Sequence, residues 1–287
     1  MASIVIIGGG PAGLSAAIYA ARANMQAVVL YQNGGALEKT EKIENYFGFE
    51  QAISGPELLA RGRAQAARLG AHLVQAEVTG VEYAETGFQV HTTAGNYAAD
   101  AVILATGAPR AVPKIEGVAA FEGRGVSYCA ICDAFFYRGK AVAVLGNGEY
   151  ALEEARVLLP VAGAVTLLTN GAEAPAVLPE GLAVDTRPVR AVAGGETVEK
   201  AEFADGGALA VSGVFLAYGT AGSAELARKL GAETEGTRVR VDERMATNVP
   251  GLFAAGDCTG GLLQVARAVA DGAQAGLSAV KFVRDAK

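Results

Sequence analysis

The chain has 287 residues, 51% of them apolar and 19% charged, and a formal net charge of -6 at pH 7. A chain of this size and composition supports one large core or, more typically, two domains, and its acid excess disfavours nucleic acid as a partner. No apolar run reaches the roughly 18 residues needed to cross a bilayer. The apolar start SIVIIGGG lacks a basic leader and a cleavage site, so neither membrane insertion nor export is expected. Three cysteines cannot form a secreted disulfide framework, which makes the cytoplasm the expected location.

In chain order, residues 4–14, IVIIGGGPAGL, predict a buried strand, a glycine turn and a helix start, followed by the small-residue helix SAAIYAARA and a second strand AVVLY. Gly8, Gly10 and Gly13 supply a GxGxxG pattern. The first glycine permits a tight turn, the second lets a pyrophosphate approach the backbone, and the third lets helix pack on strand. The pattern is weak alone, but its strand-turn-helix setting predicts dinucleotide binding, with the helix N-terminus facing the phosphates. DAVILATGAPR (100–110) predicts a further buried strand closing on a glycine turn. A second nucleotide-fold beginning follows at 141–155, AVAVLGNGEYALEEA, where Gly146 and Gly148 take the first two glycine positions and Ala151 the third. GLFAAGDCTGGLLQ (251–264) repeats the strand-and-turn signal, and VARAVADGAQAGLSAVKFVRD has helical spacing and is expected to pack on the first domain.

This order predicts an α/β protein of two doubly wound, dinucleotide-binding-like domains. The first is expected to be discontinuous, at 1–112 and 244–287. The second, at 113–243, is inserted into it, and the two crossings make a natural hinge.

Cys129 and Cys132 stand as Cys-x-x-Cys in SYCAICDAFF (127–136), with Asp133 directly behind. A structural zinc needs about four ligands. This is the sole Cys-x-x-Cys in the chain, and His72 and His91 fit no ligand pattern, so no metal is expected. A permanently buried pair of small residues is the plain alternative. A redox disulfide is favoured because exchange needs a thiolate and Cys-x-x-Cys can lower one thiol's pKa. Cys258 is expected to be a small packing residue.

Taken in order, GGGPAG, IENYFGF, ILATG, CAICD, the second GxGxxA and GLFAAGD make nearly the whole chain resemble the low-molecular-weight thioredoxin reductase family of flavoproteins. The resemblance implies FAD in the first domain, a redox disulfide on the inserted, nicotinamide-domain-like unit, thioredoxin as substrate, and a homodimer. By resemblance, Gly8, Gly10 and Gly13, with Pro11 and Ala12 between them, would face the FAD pyrophosphate, and Asn45 would lie beside the flavin. Thr106 and Gly107 of ATG, with Gly256 before Asp257, would complete the cofactor site. Asp257 would accept from the ribityl chain, and Gln264 and Val265 would begin a helix whose N-H groups support negative charge on reduced flavin. Cys132 would face the flavin and Cys129 would attack the substrate disulfide. Asp133 would then protonate the leaving thiolate.

The pattern departs from that family at two ribose positions. After the second strand it reads Tyr31, Gln32, Asn33, where an acid is usual, and Glu38 is the nearest carboxylate. After AVTLL (164–168) it reads TNGAEAP, where NADPH-dependent relatives carry a His-Arg-Arg run, and no Lys or Arg occurs from Val157 to Thr186. Glu149 and Tyr150 also put a carboxylate and a bulky ring near the phosphate turn. Charge-assisted hydrogen bonds contribute about 1.5–3 kcal/mol each. Losing two weakens NADPH binding by about a hundred- to ten-thousandfold. GNGEYALEEA, VTLLTNG and GDCTGGLLQVA look like the ferredoxin-dependent flavin thioredoxin reductases, which keep FAD and Cys-x-x-Cys but lack the nicotinamide determinants. That resemblance implies reduced ferredoxin as donor, with Arg124, Arg138 and Lys140 as candidates for a local basic surface. The alternatives are an NADPH enzyme with an atypical phosphate site and a flavin-bound redox sensor without turnover.

Overall fold

The computed structural model describes residues 2–107, 114–128, 130–218 and 222–286. In chain order the first stretch carries β1 (Ser3–Ile7), α1 (Pro11–Arg22), β2 (Gln26–Tyr31), α2 (Gly55–Arg68), β3 (His72–Gln75), β4 (Val78–Tyr83), β5 (Phe88–Thr92), β6 (Gly95–Ala99) and β7 (Ala101–Leu104). Next come β8 (Val126–Ser127), α3 (Ala130–Asp133), β9 (Ala141–Leu145), α4 (Glu149–Leu158), β10 (Ala164–Leu168), β11 (Leu182–Asp185), β12 (Val189–Gly194), β13 (Val198–Phe203), β14 (Ala208–Ala210) and β15 (Gly213–Leu216). The chain ends with α5 (Ser223–Lys229), β16 (Thr234–Glu235), β17 (Arg238–Val239), β18 (Leu252–Ala254) and α6 (Val265–Asp285).

Two compact units result, Met1–Pro109 with Gly222–Lys287, and Arg110–Ala221. In the first, a five-stranded sheet runs β18-β7-β1-β2-β3 with every pairing parallel. Its central strands are continuous apolar runs because both faces are covered, as parallel sheets require; Ile4, Val5 and Ile6 are fully buried. Helix α6 lies on α1 at close range. A Cβ on Gly272 would meet the Ala12 carbonyl oxygen at 2.0 Å, so the small residues of the two helices are what permit this approach. The expected packing of the last helix on the first unit is therefore observed.

The second unit repeats the plan with its own parallel sheet, β11-β10-β9-β15-β8. Each unit also carries a three-stranded antiparallel meander, β4-β5-β6 in the first and β12-β13-β14 in the second. Strand, glycine turn, helix, strand, meander and return strand thus occur twice, and the α/β class with two dinucleotide-binding-like units holds.

The second crossing lies earlier than the expected 243/244. Residues 222–243, carrying α5 and the β16-β17 hairpin, belong to the first unit. Long-range hydrogen bonds hold them there: the Ser223 backbone N-H donates to Thr106 Oγ1 at 2.9 Å, and the Tyr83 hydroxyl donates to the Leu230 carbonyl at 2.6 Å.

Candidate active site

In the first unit the glycine turn between β1 and α1 has two crowded positions and one open one. Gly8 has φ +125°, and a Cβ there would lie 2.1 Å from the Ala105 carbonyl oxygen. A Cβ on Gly13 would lie 1.9 Å from the Gly8 carbonyl oxygen. Both glycines are therefore needed by the protein itself. At Gly10 a Cβ would meet nothing within 4 Å, so the space beside it is open. Gly10 is also the N-cap of α1, with Pro11 in the first turn and no side chain capping the helix. Uncapped N-H groups beside an open glycine fit a pyrophosphate.

The remaining first-unit residues are held by the loops around this turn. Asn45 Nδ2 donates to Gln264 Oε1 at 2.8 Å, joining the 43–49 loop to the N-cap of α6, across 219 residues of sequence. The Gln264 side chain does not cap α6, whose first N-H groups begin at Val265. Asp257 sits in the turn Gly256–Thr259; burial raises its pKa above the ordinary carboxylate value, with Arg267 opposing and Asp271 reinforcing the shift. Gly107 and Gly256 take positive φ, +80° and +78°. The Thr106 hydroxyl sits 2.8 Å from Ser223 Oγ at the start of α5.

At the β2 end, Gln32 Nε2 donates to Glu77 Oε2 at 3.0 Å, the Gly35 N-H donates to Asn33 Oδ1, and Arg63 lies 4.5 Å over the Tyr31 ring. Glu77, not Glu38, is thus the acid tied to this strand end. No local pattern points to it.

Cys258 is buried at 2% exposure and donates to the carbonyl oxygens of Leu104 and Ala255. Burial pushes its thiol up to about 11 from 9.0. The folded protein keeps this proton after an unfolded chain has lost it, so the stability contribution is present below pH 9 and is lost between about 9 and 11. Cys258 is expected to resist a thiol reagent at pH 8 in the native protein and to react on denaturation; native-state labelling localised by mass spectrometry checks this.

In the second unit Cys132 lies exposed in the short helix α3 and is disulfide-bonded. Cys129 lies outside the described residues. The Ser127 hydroxyl on β8 donates to Asp133 Oδ2 at 2.7 Å and orients that carboxylate. The nearby Tyr137 phenol is raised by burial and by the Asp133 charge. Arg124 and Lys140 line one groove with Asp133, Phe136 and Tyr137. Arg138 stacks instead on the Phe135 ring at 5.5 Å. Ile131, Phe135 and Phe136 are exposed at 58%, 71% and 68%, so the motif is surrounded by apolar side chains available for contact.

The ribose end of β10 carries no free cation among the described residues. Asn170, at φ +53°, turns its Oδ1 inward to accept the Val189 N-H at 2.7 Å. Arg187, the next cation along the chain, pairs with Asp185 at 2.6 Å and Asp205 at 3.3 Å and lies 3.8 Å over the Phe203 ring. Tyr150 does not stand in the phosphate turn: its ring is 1% exposed and lies inside the unit, leaving Glu149 as the exposed member of the pair. Two residues that sequence reading missed, Ser127 and Glu154, are both buried. Glu154 had a signal, since it lies four residues after Tyr150 and four before Leu158 on the inward face of α4.

The pattern of the family described as pyridine nucleotide-disulphide oxidoreductase matches residues 2–272. The chain is 37% identical to the thioredoxin reductase of Aquifex aeolicus, covering 99% of this chain and 94% of that protein. It is also 35% identical to a glucosaminate ammonia-lyase of Pseudomonas fluorescens, over 88% of this chain and 87% of that one. Among solved structures, the atypical thioredoxin reductase TRi of Desulfovibrio vulgaris Hildenborough superposes with a TM-score of 0.93 at 42% identity, covering 99% of both chains. A ferredoxin-flavin thioredoxin reductase of Clostridium acetobutylicum gives 0.72 at 32% identity, covering 99% of this chain and 98% of that one. With a match running from β1 into α6 and relatives aligned over nearly their full lengths, the chain belongs to the pyridine nucleotide-disulphide oxidoreductase family, among the homologues of thioredoxin reductase.

Proposed function

We propose that this protein is a cytoplasmic, homodimeric thioredoxin reductase that takes electrons from reduced ferredoxin, holds FAD in its first unit, and reduces thioredoxin through Cys129 and Cys132. The observation that carries the donor assignment is the end of β10, where Asn170 is turned inward and Arg187 is neutralised by two carboxylates. Among the described residues no arginine is offered there to a 2'-phosphate. The likeness to the Clostridium acetobutylicum enzyme, named for ferredoxin and flavin, supports the same reading.

FAD, when bound, exchanges the single electrons of ferredoxin for the electron pair that a disulfide requires. The chain's own residues do the rest. Gly10 and the first N-H groups of α1 would receive the pyrophosphate, while Asn45 and Gln264 fix the loop against α6. The Cys129–Cys132 disulfide takes up two electrons and two protons to become a dithiol. Cys129 gives its proton to Asp133 as its sulfur attacks a thioredoxin sulfur, and the thiolate displaced takes that proton back from Asp133. Cys132 then displaces the second thioredoxin sulfur, which closes the protein's disulfide and releases reduced thioredoxin.

Asp133→Asn keeps the shape and the Ser127 contact but cannot give up a proton at neutral pH. It is expected to slow thioredoxin reduction by pre-reduced protein about a hundredfold, while reduction of the protein's own disulfide stays near the parental rate. An unchanged exchange rate would remove Asp133 from proton transfer. The function itself is tested by counting thioredoxin thiols formed with each donor. Ferredoxin should sustain their formation, more slowly as salt screens the encounter, and NADPH should not. Equal turnover with NADPH would return the assignment to a nicotinamide-dependent enzyme.

A further inference from the structure

Helix α4 follows the second glycine turn, and its buried face carries two polar side chains one turn apart, Tyr150 and Glu154, each 1% exposed. Glu154 Oε2 accepts the backbone N-H of Ala130 at 2.6 Å, and the Tyr150 hydroxyl donates to the Tyr128 carbonyl at 3.4 Å. Tyr128 and Ala130 are the two chain neighbours of Cys129. The helix that in a nicotinamide-binding unit presents its N-terminus to phosphates thus holds the redox motif from within the same unit.

A buried carboxylate differs from a neutral acceptor because it brings a negative charge into a low-dielectric interior, where it opposes formation of a nearby thiolate. Destabilising the thiolate form of a reduced pair makes that pair a stronger reductant, since stabilising the reduced form does the opposite. Among the described residues the packed elements bring few ionisable groups to Glu154. β9 and β10, which pack against α4, read AVAVL and AVTLL and contain none; α3 contributes Cys132 and Asp133, and α4 contributes Tyr150 on the same face. Glu153 and Arg156 pair with each other at the helix surface.

We propose that Glu154 is a positioning residue of the redox disulfide, fixing the peptide that follows Cys129 and, through its charge, raising the pKa of the reduced pair so that it is more strongly reducing. This rests on Cys129 and Cys132 being the redox pair, and on neither the donor nor the substrate.

The test uses the FAD-loaded protein and its Glu154→Gln variant, which keeps an acceptor oxygen in nearly the same shape and loses the charge. After anaerobic reduction with dithiothreitol, the pH dependence of iodoacetamide labelling is followed at each cysteine by mass spectrometry. The midpoint of the more reactive motif thiol is expected to fall by about one pH unit in the variant, a tenfold change in the ionisation constant. In a fixed dithiothreitol redox buffer above that midpoint, the ratio of reduced to oxidised pair should rise severalfold in the variant. Glu154→Ala should move the midpoint similarly and also speed hydrogen exchange at the Ala130 amide. A Gln variant with the parental midpoint and redox ratio overturns the proposal. So does an unprotected Ala130 amide in the parent protein, a measurement that needs no variant to fold. Labelling of Cys129 and Cys132 that is the same before and after dithiothreitol would identify failure of the redox pair itself, and the role of Glu154 would fall with it.

Discussion

Replacing either Cys129 or Cys132 with serine is expected to abolish ferredoxin-driven thioredoxin reduction while the protein remains folded and retains FAD. The size of the effect follows from the chemistry, because each half of the exchange needs a sulfur that can form and break a disulfide, and serine oxygen does neither. The variants should differ in what they trap. With Cys132 replaced, nothing resolves the mixed disulfide, so a thioredoxin lacking its own second cysteine should accumulate as a covalent adduct through Cys129. With Cys129 replaced, no such adduct should form. Cys258 cannot substitute, since its thiol is buried and raised to about 11. Activity and adduct formation are read by thiol assay and intact mass, and wild-type turnover in either variant would refute the disulfide mechanism.

The glycine turn gives the second large effect, and there two neighbouring substitutions should separate folding from cofactor binding. Gly13→Ala places a methyl group 1.9 Å from the Gly8 carbonyl oxygen, a backbone atom that cannot swing aside. Overpacking of this kind costs about 1–3 kcal/mol or more, so both thermal stability and FAD retention should drop. Gly10→Ala meets nothing within 4 Å, and its φ of -84° suits any residue. The apoprotein should then melt at the parental temperature, yet FAD affinity should fall about tenfold or more, equivalent to ~1.4 kcal/mol, because the methyl occupies the space assigned to the pyrophosphate. Apoprotein melting curves and FAD titrations distinguish the two. Unimpaired FAD binding by Gly10→Ala would remove the pyrophosphate from that turn.

Local, periodic signals made the strands and turns legible. AVTLL coincides with β10, ILATG with the end of β7, and the two glycine turns with the starts of α1 and α4, because continuous apolar runs closing on glycine have few other structures open to them. The return of the chain to the first unit was not legible at residue 222. The bonds that settle it join Thr106 to Ser223 and Tyr83 to Leu230, separations of 117 and 147 residues that leave no local trace. The candidate site shows the same division. Asp133 was visible in its motif, but Ser127, whose hydroxyl orients it, was not. The missing arginines after β10 were visible as an absence, whereas the capture of Arg187 by Asp185 and Asp205 required knowing that three strand ends converge. The Thr106 hydroxyl likewise has a protein partner, Ser223, that no motif reveals.

The identity of the electron donor is the claim on which the proposed function turns. Anaerobic stopped-flow absorbance of the FAD-loaded protein, mixed in turn with reduced ferredoxin, NADPH and NADH, measures it directly. Reduced ferredoxin should bleach the flavin band on the turnover timescale and more slowly as salt rises, while both nicotinamides at millimolar concentration should leave it oxidised. Rapid bleaching by NADPH would contradict the account and show that the β10 edge binds the nucleotide without the arginines it lacks.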